Sequence, residues 1–189
     1  MMTQQFNTKL KGKLVLTDSY HADKTLQKEK SLYKFIWVRS GSITLEIDHQ
    51  EIMLAKNEII SLSNLQHLEF KSIDGDYLTL LFNSNFYCIY GNDHEVSCSG
   101  FLFNGSSHVI RFTLNEAEQK TLNDIADTLC KEFSVTDNIE RIKHAVLPAF
   151  RLSSGFEFKR AAVRDKFKPN AGSAQNLGFI ILIRLHVIP

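Results

Sequence analysis

Leu32-Tyr33-Lys34-Phe35-Ile36-Trp37-Val38-Arg39-Ser40-Gly41-Ser42-Ile43-Thr44-Leu45-Glu46-Ile47-Asp48-His49 is the stretch whose reading decides the fold. Residues 32–38 are apolar at nearly every position. A strand with that composition needs cover on both faces, the signature of a central strand. Ser40-Gly41-Ser42 turns the chain, glycine tolerating the positive φ that such turns often need. Beyond it Ile43, Leu45 and Ile47 alternate with Ser42, Thr44 and Glu46. Successive strand side chains point to opposite faces, so this segment reads as a half-buried antiparallel strand. Asp48-His49 then predicts a tight turn.

The same logic extends outward. Leu14-Val15-Leu16 predicts a first strand, and polar residues 21–30 read as a loop. Residues 51–54 return as the second arm of a hairpin. Lys56-Asn57 turns again before a strand at 58–62, and Ser63-Asn64 leads to another at 67–71. Asp74-Gly75-Asp76 is a strong turn signal ahead of an apolar strand at 77–82. The asparagines of Phe82-Asn83-Ser84-Asn85-Phe86 break that strand, and Phe86 and Tyr87 are expected to pack against a barrel end. Residues 96–103 and 108–113 supply the last strand-like pieces. Short strands at this spacing indicate a β-sandwich or barrel.

A switch to helix follows. Thr113-Leu114-Asn115-Glu116 fits a capping box, in which the Thr hydroxyl and the Glu carboxylate satisfy each other's backbone amides. Leu122, Ile125, Leu129 and Phe133 recur at spacings of three and four and form one apolar stripe. Asp137-Asn138-Ile139-Glu140 starts a second helix, whose stripe is Ile139, Ile142 and Val146. Pro148 stops or kinks it. After Pro148 the periodicity fades, and Gly155, Pro169 to Ser173 and Gly178 break the chain repeatedly. There is no internal repeat.

Composition bounds the function. The chain has 189 residues, 43% hydrophobic and 23% charged, which suits one globular domain with appendages. Residues 151–189 carry seven basic and two acidic side chains, net +5, which leaves −4 for residues 1–150 of a chain whose total is +1. Cys88, Cys98 and Cys130 are odd in number and lack a framework spacing, so reduced thiols and a cytoplasmic setting are expected. The N-terminus has no apolar segment of a signal peptide. The longest apolar run, at the C-terminal end, is too short for a bilayer, which takes about 20 residues, so no membrane association is expected.

Catalytic and metal signatures are sparse. The seven histidines, His21, His49, His67, His94, His108, His144 and His186, show no pair at a ligand-like spacing. No GxSxG elbow, GxGxxG or P-loop occurs. Asp74 and Asp76 read as turn residues. No catalytic residue, metal site or cofactor is therefore expected. Tyr33, Phe35 and Trp37 share a face that either lines a small-molecule pocket inside the barrel or fills an ordinary core. His67 joins them as a candidate ligand-binding residue, against its reading as a half-exposed strand histidine. The stripes Leu122, Ile125, Leu129, Phe133 and Ile139, Ile142, Val146 form a dimer interface, pack on the outer barrel wall, or do both. The basic run Lys159, Arg160, Arg164, Lys166 and Lys168 lacks a recognition-helix pattern and reads as a solvated tail rather than a DNA-binding site.

Phe35 to Ser42 with Leu45-Glu46-Ile47-Asp48, the strand Glu58-Ile59-Ile60-Ser61-Leu62 ahead of His67, and the segments Phe82 to Ile89, Glu95 to Cys98 and Gly100 to Phe103 resemble, as an ordered set, the N-terminal cupin-like domain of AraC-family transcription regulators of the Bacteroidetes type. The resemblance covers roughly residues 12–147. It implies a mainly β fold with C-terminal helices: a cupin-like, double-stranded β-helix barrel over 1–113 and a helical connector and dimerisation segment over 114–150. Residues 151–189 read by themselves as an irregular basic tail. The resemblance implies effector sensing, dimerisation or both, no enzymatic activity, a homodimer, a small-molecule effector, and DNA contact only through a helix-turn-helix domain. Residues after Phe150 show no pair of helix-turn-helix patterns, so the tail from about Pro148 is expected to be an out-of-frame or truncated end. Two other functions stay open: a stand-alone cupin binding protein or enzyme, and a small regulator that uses its basic tail on DNA.

Overall fold

A computed structural model describes residues 1–87 and 109–135 together with positions 142 and 145. The chain divides into two units, Met1–Glu157 and Phe158–Pro189, and every described residue belongs to the first. Nine strands form among the described residues: β1 (Thr3–Asn7), β2 (Lys13–Thr17), β3 (Tyr33–Val38), β4 (Ser42–Ile47), β5 (Gln50–Ala55), β6 (Glu58–Leu62), β7 (Leu68–Asp74), β8 (Tyr77–Phe82) and β9 (Ile110–Thr113). They make a six-stranded sheet in the order β1-β2-β8-β3-β6-β9 and a three-stranded sheet in the order β5-β4-β7. All pairings are antiparallel. Helix α1 (Lys24–Lys28) is short, and α2 (Glu116–Val135) follows β9. The fold is mainly β, a cupin-like double sheet with a helix on its C-terminal side.

The composition of β3 explains the layering. It lies between β8 and β6, and all six of its residues are buried. Ile36 and Val38 join Val15, Ile60 and Leu81 to face Ile43, Leu45, Ile47 and Leu54 of the smaller sheet. The intervening Tyr33, Phe35 and Trp37 join Leu16, Leu80 and Phe82 in a second layer on the other face, which Leu122 and Leu129 of α2 cover. The centre of the larger sheet is thus buried on both faces, whereas β4 alternates buried and half-exposed positions along its length.

Tight turns set the registers. Asp48 (φ 47°) and His49 (φ 69°) are both left-handed, and Ile47 pairs with Gln50 across them. Two consecutive positive φ values match the twist of a hairpin, and Asp tolerates that region better than most residues. Gly41 (φ 66°) and Gly75 (φ 135°) lie against each other where the chain passes between the sheets. A Cβ on Gly41 would meet the Asp74 carbonyl oxygen at 1.9 Å, and one on Gly75 would meet that of Ser40 at 2.0 Å.

Three local expectations are corrected. Residues 21–30 are not a plain loop: Asp23 caps α1 through its Oδ1, which accepts from the Thr25 and Leu26 amides. One helical turn is too short to show periodicity in sequence. The polar segment Thr3–Asn7 is a strand, held at the sheet edge by β2. The capping box sits two residues later than expected, because Thr113 is committed to pairing with Glu58. Asn115 Oδ1 accepts from the Glu118 amide at 3.0 Å, and Glu118 Oε2 accepts from the Asn115 amide at 2.7 Å. Asn115→Ala is expected to lower the unfolding free energy by about 1 kcal/mol. The urea midpoint should fall at unchanged slope, and Asn115→Asp should restore it.

Candidate functional site

The residues expected to share a barrel pocket lie in two separate places. Tyr33, Phe35 and Trp37 do not face the interior between the sheets; they point to the opposite face, towards α2. Both faces of β3 are buried, and its one charged residue, Lys34, shares the inner face with Ile36 and Val38, so the strand's own pattern points the wrong way. His67 does not enter the interior either. Leu68 and Phe70 take the inward positions of β7, and the His67 side chain, 62% exposed, meets Glu69 at 3.1 Å. Hydrogen bonds from His67 and Lys71 hold the Glu69 carboxyl below its usual range.

The helical stripe meets the aromatic face. Leu122 and Leu129 are buried there, Ile125 and Phe133 pack alongside, and Ile142 adds a fully buried contact. Ile139 and Val146 lie outside the described residues. Between helix and sheet is an apolar cavity of about 60 Å³. Its floor is Leu16, Phe35, Trp37, Ile59, Leu78 and Leu80, and its roof is Leu122, Ile125, Ala126 and Leu129. Trp37 is 6% exposed, and its Nε1–H has no hydrogen-bond partner among the described residues. The Arg39 guanidinium lies over the Trp37 ring, 5.6 Å from its centre, and donates to Asn123 Oδ1 of α2 at 3.0 Å. One side chain thus touches both the floor's indole and the roof helix.

Sequence reading found Phe35, Trp37 and the α2 stripe but missed Leu16, Ile59, Leu78, Leu80 and Ala126 as lining residues. The available signal was the second apolar face of strands that are apolar throughout, such as β8.

Two polar features occupy the interior between the sheets. Lys34 is 5% exposed, and its Nζ donates to the carbonyls of Leu32 (3.0 Å) and Ser63 (3.4 Å). Burial pushes its ammonium down to about 8, against a smaller opposing pull from Asp48. At the three-stranded side, His21 Nδ1 and the Tyr77 hydroxyl are 2.6 Å apart, and Phe70 packs against Tyr77 and Tyr20. Burial raises both Tyr20 and Tyr77 to about 12, so both phenols are neutral at ordinary pH. Among the described residues no group of three or more His, Cys, Asp or Glu side chains is placed to hold a metal ion, and no helix is long and apolar enough to cross a membrane.

No protein-family model matches the sequence, and no curated protein matches it. Among solved structures the chain is similar to the AraC-like transcriptional activator CuxR at 12% identity and a TM-score of 0.41, over 77% of this chain and 48% of that one. It is also similar to the apo form of a single-residue variant of ToxT from Vibrio cholerae, at 14% identity and a TM-score of 0.45, over 84% of this chain and 58% of that one. The chain thus spans less than two thirds of the length of either structure.

Proposed function

We propose that this chain is the effector-sensing and dimerisation domain of an AraC-type transcription regulator. The observation that supports this reading is the seat of α2 across the cavity: four of its side chains form the roof over a floor supplied by the sheet. A molecule held there touches the rigid sheet and the helix together. Its binding free energy therefore favours one helix position over another, which is what a sensor requires. The lining holds no nucleophile or acid–base pair, so on this reading the chain binds without catalysing, and it uses no cofactor. DNA contact falls to a helix-turn-helix domain outside residues 1–150. Two copies pair in the cytoplasm. Because Leu122 and Leu129 are buried on the chain's own sheet, pairing uses surface beyond that stripe.

The test is a hybrid regulator with this chain joined ahead of a DNA-binding half that needs dimerisation. Reporter expression is expected to depend on the chain, and sedimentation equilibrium of the chain alone is expected to give a dimer. Tight, sequence-specific DNA binding by the chain alone in a gel shift would overturn the assignment.

A further inference from the structure

The strand registers bring four chain segments to one end of the larger sheet. Asn7 pairs with Lys13, Leu14 with Phe82, Phe82 with Tyr33, and Lys34 with Leu62. The β1–β2 turn, the exit from β8, the entry to β3 and the exit from β6 therefore lie side by side. The Lys13–Glu29 ion pair draws the end of α1 to the same place. Five lysines meet there, Lys9, Lys11, Lys13, Lys28 and Lys30, against Glu29, a net charge of +4. Lys13 is engaged with Glu29. The other four are exposed and make no ion pair among the described residues. The turn that carries Lys9 and Lys11 is held rigidly: the Thr8 amide donates to the Gly12 carbonyl at 2.7 Å, and Asn83 Nδ2 donates to the Lys11 carbonyl at 2.9 Å. Gathering like charges on a fixed surface costs self-repulsion, which a facing anion offsets. We propose that this end of the larger sheet is a contact surface for the phosphate backbone of duplex DNA, held by Lys9, Lys11, Lys28 and Lys30.

Charge, not apolar contact, is what this end offers. Leu10 and Leu65 are 83% and 86% exposed there, but three strand spacings separate their loops, about 14 Å. They form no contiguous patch of the kind that marks a protein or lipid anchor. Two spacings separate the β1–β2 turn from the entry to β3, about 10 Å. Each DNA strand carries a phosphate about every 3.4 Å of helix axis, so several fall within that width. Asp48, at the same end of the smaller sheet, accepts from the His67 amide at 2.9 Å. The acidic residues Asp74, Asp76, Glu116 and Glu118 lie beyond the opposite strand ends, a strand length of about 17–20 Å away. Salt screens charges over about 8 Å, so they do not cancel the lysines. The contact reads no bases, and sequence-specific contact stays with the helix-turn-helix half. The choice of DNA over another polyanion rests on the sensing-domain reading, which places the chain beside DNA; the lysine array does not.

Acetylation of lysines in the full chain by N-hydroxysuccinimide acetate, read residue by residue by mass spectrometry, tests the contact. A short DNA duplex of arbitrary sequence is expected to slow the reaction at Lys9, Lys11, Lys28 and Lys30. Lys56 in the β5–β6 turn and Lys120 on α2 are also exposed and are expected to react as before. Four phosphate contacts weaken by roughly a hundredfold between 50 and 200 mM salt, so the protection should be lost across that range. The double variant Lys9→Gln/Lys11→Gln is expected to lose protection at Lys28 and Lys30 as well, with circular dichroism confirming its fold. Leu10→Ser is expected to keep the protection, since a backbone contact does not use that side chain. Equal slowing at Lys56 and Lys120, slowing confined to the lysines of residues 151–189, or protection at Lys28 and Lys30 that survives the double variant overturns the proposal. So does loss of protection in Leu10→Ser, or equal protection by poly-L-glutamate at the same charge concentration, either of which assigns this end to an acidic protein segment. No protection with a responsive hybrid regulator rejects this contact alone. Protection with a silent hybrid rejects the sensing-domain reading and leaves the contact standing.

Discussion

Phe82→Ala is expected to lower the unfolding free energy by about 3–5 kcal/mol, the range for truncating a fully buried aromatic residue. Phe82 is 0% exposed. It ends β8, paired on one side with Leu14 of β2 and on the other with Tyr33 of β3. Its ring stacks on Tyr33 with centres 5.4 Å apart and an interplanar angle of 22°, and it meets the edge of Tyr87 at 6.3 Å. Removing it opens a void among rings that pairing holds in place, so the neighbours relax little. Phe82→Leu keeps most of the volume and should cost under about 1.5 kcal/mol. Urea unfolding of the three proteins tests this. A loss below about 1 kcal/mol for the alanine variant, outside the range for such truncations, would show that this layer is not the packed core described.

Lys34 should make the protein more stable as pH rises. Its ammonium is held near 8 in the folded chain against an ordinary 10.5. Between those values the unfolded chain keeps the proton that the folded chain has released, so stability increases with pH across that window. Below about 8 the folded state carries the whole cost of burying the charge, on the order of 3 kcal/mol. Tyr20 and Tyr77 act in the opposite direction above pH 10. Their folded values, raised to about 12, keep protons that the unfolded chain loses, so stability falls there. Burial raises the Cys130 thiol above its ordinary 9.0 as well, which pulls stability down near and above pH 9. Across about pH 7.5–9.5 the unfolding free energy of the natural chain should therefore climb relative to that of Lys34→Met. A difference between the two proteins that does not grow with pH would show that Lys34 is not the buried charge responsible.

Much of the strand order was legible because the chain states it locally. Ile43, Leu45 and Ile47 alternate with polar residues, and β4 is half-buried on that plan. Asp48, Asn57 and Gly75 mark turns, and all three have positive φ. The Leu122, Ile125, Leu129 and Phe133 stripe lies on one helix and faces the sheet. Legibility failed where several local options were equal. Thr113 and Asn115 can each cap a helix, and only the pairing of Thr113 with Glu58 decides between them. His67 precedes a strand whose parity is set by where Leu68 and Phe70 are needed.

The sequence by itself determined the mainly β plan, the central and half-buried strands and a helix with one apolar stripe, because periodicity and turn chemistry depend on neighbouring residues. Only the tertiary structure decided what that stripe covers, and which face of β3 looks inward. Tyr33, Phe35 and Trp37 are buried as fully as Ile36 and Val38, and inside and outside exist only once a second sheet closes one face and a helix the other. The cavity beneath the helix belongs to that closure, since a void is made by residues distant in sequence failing to fill the space between them.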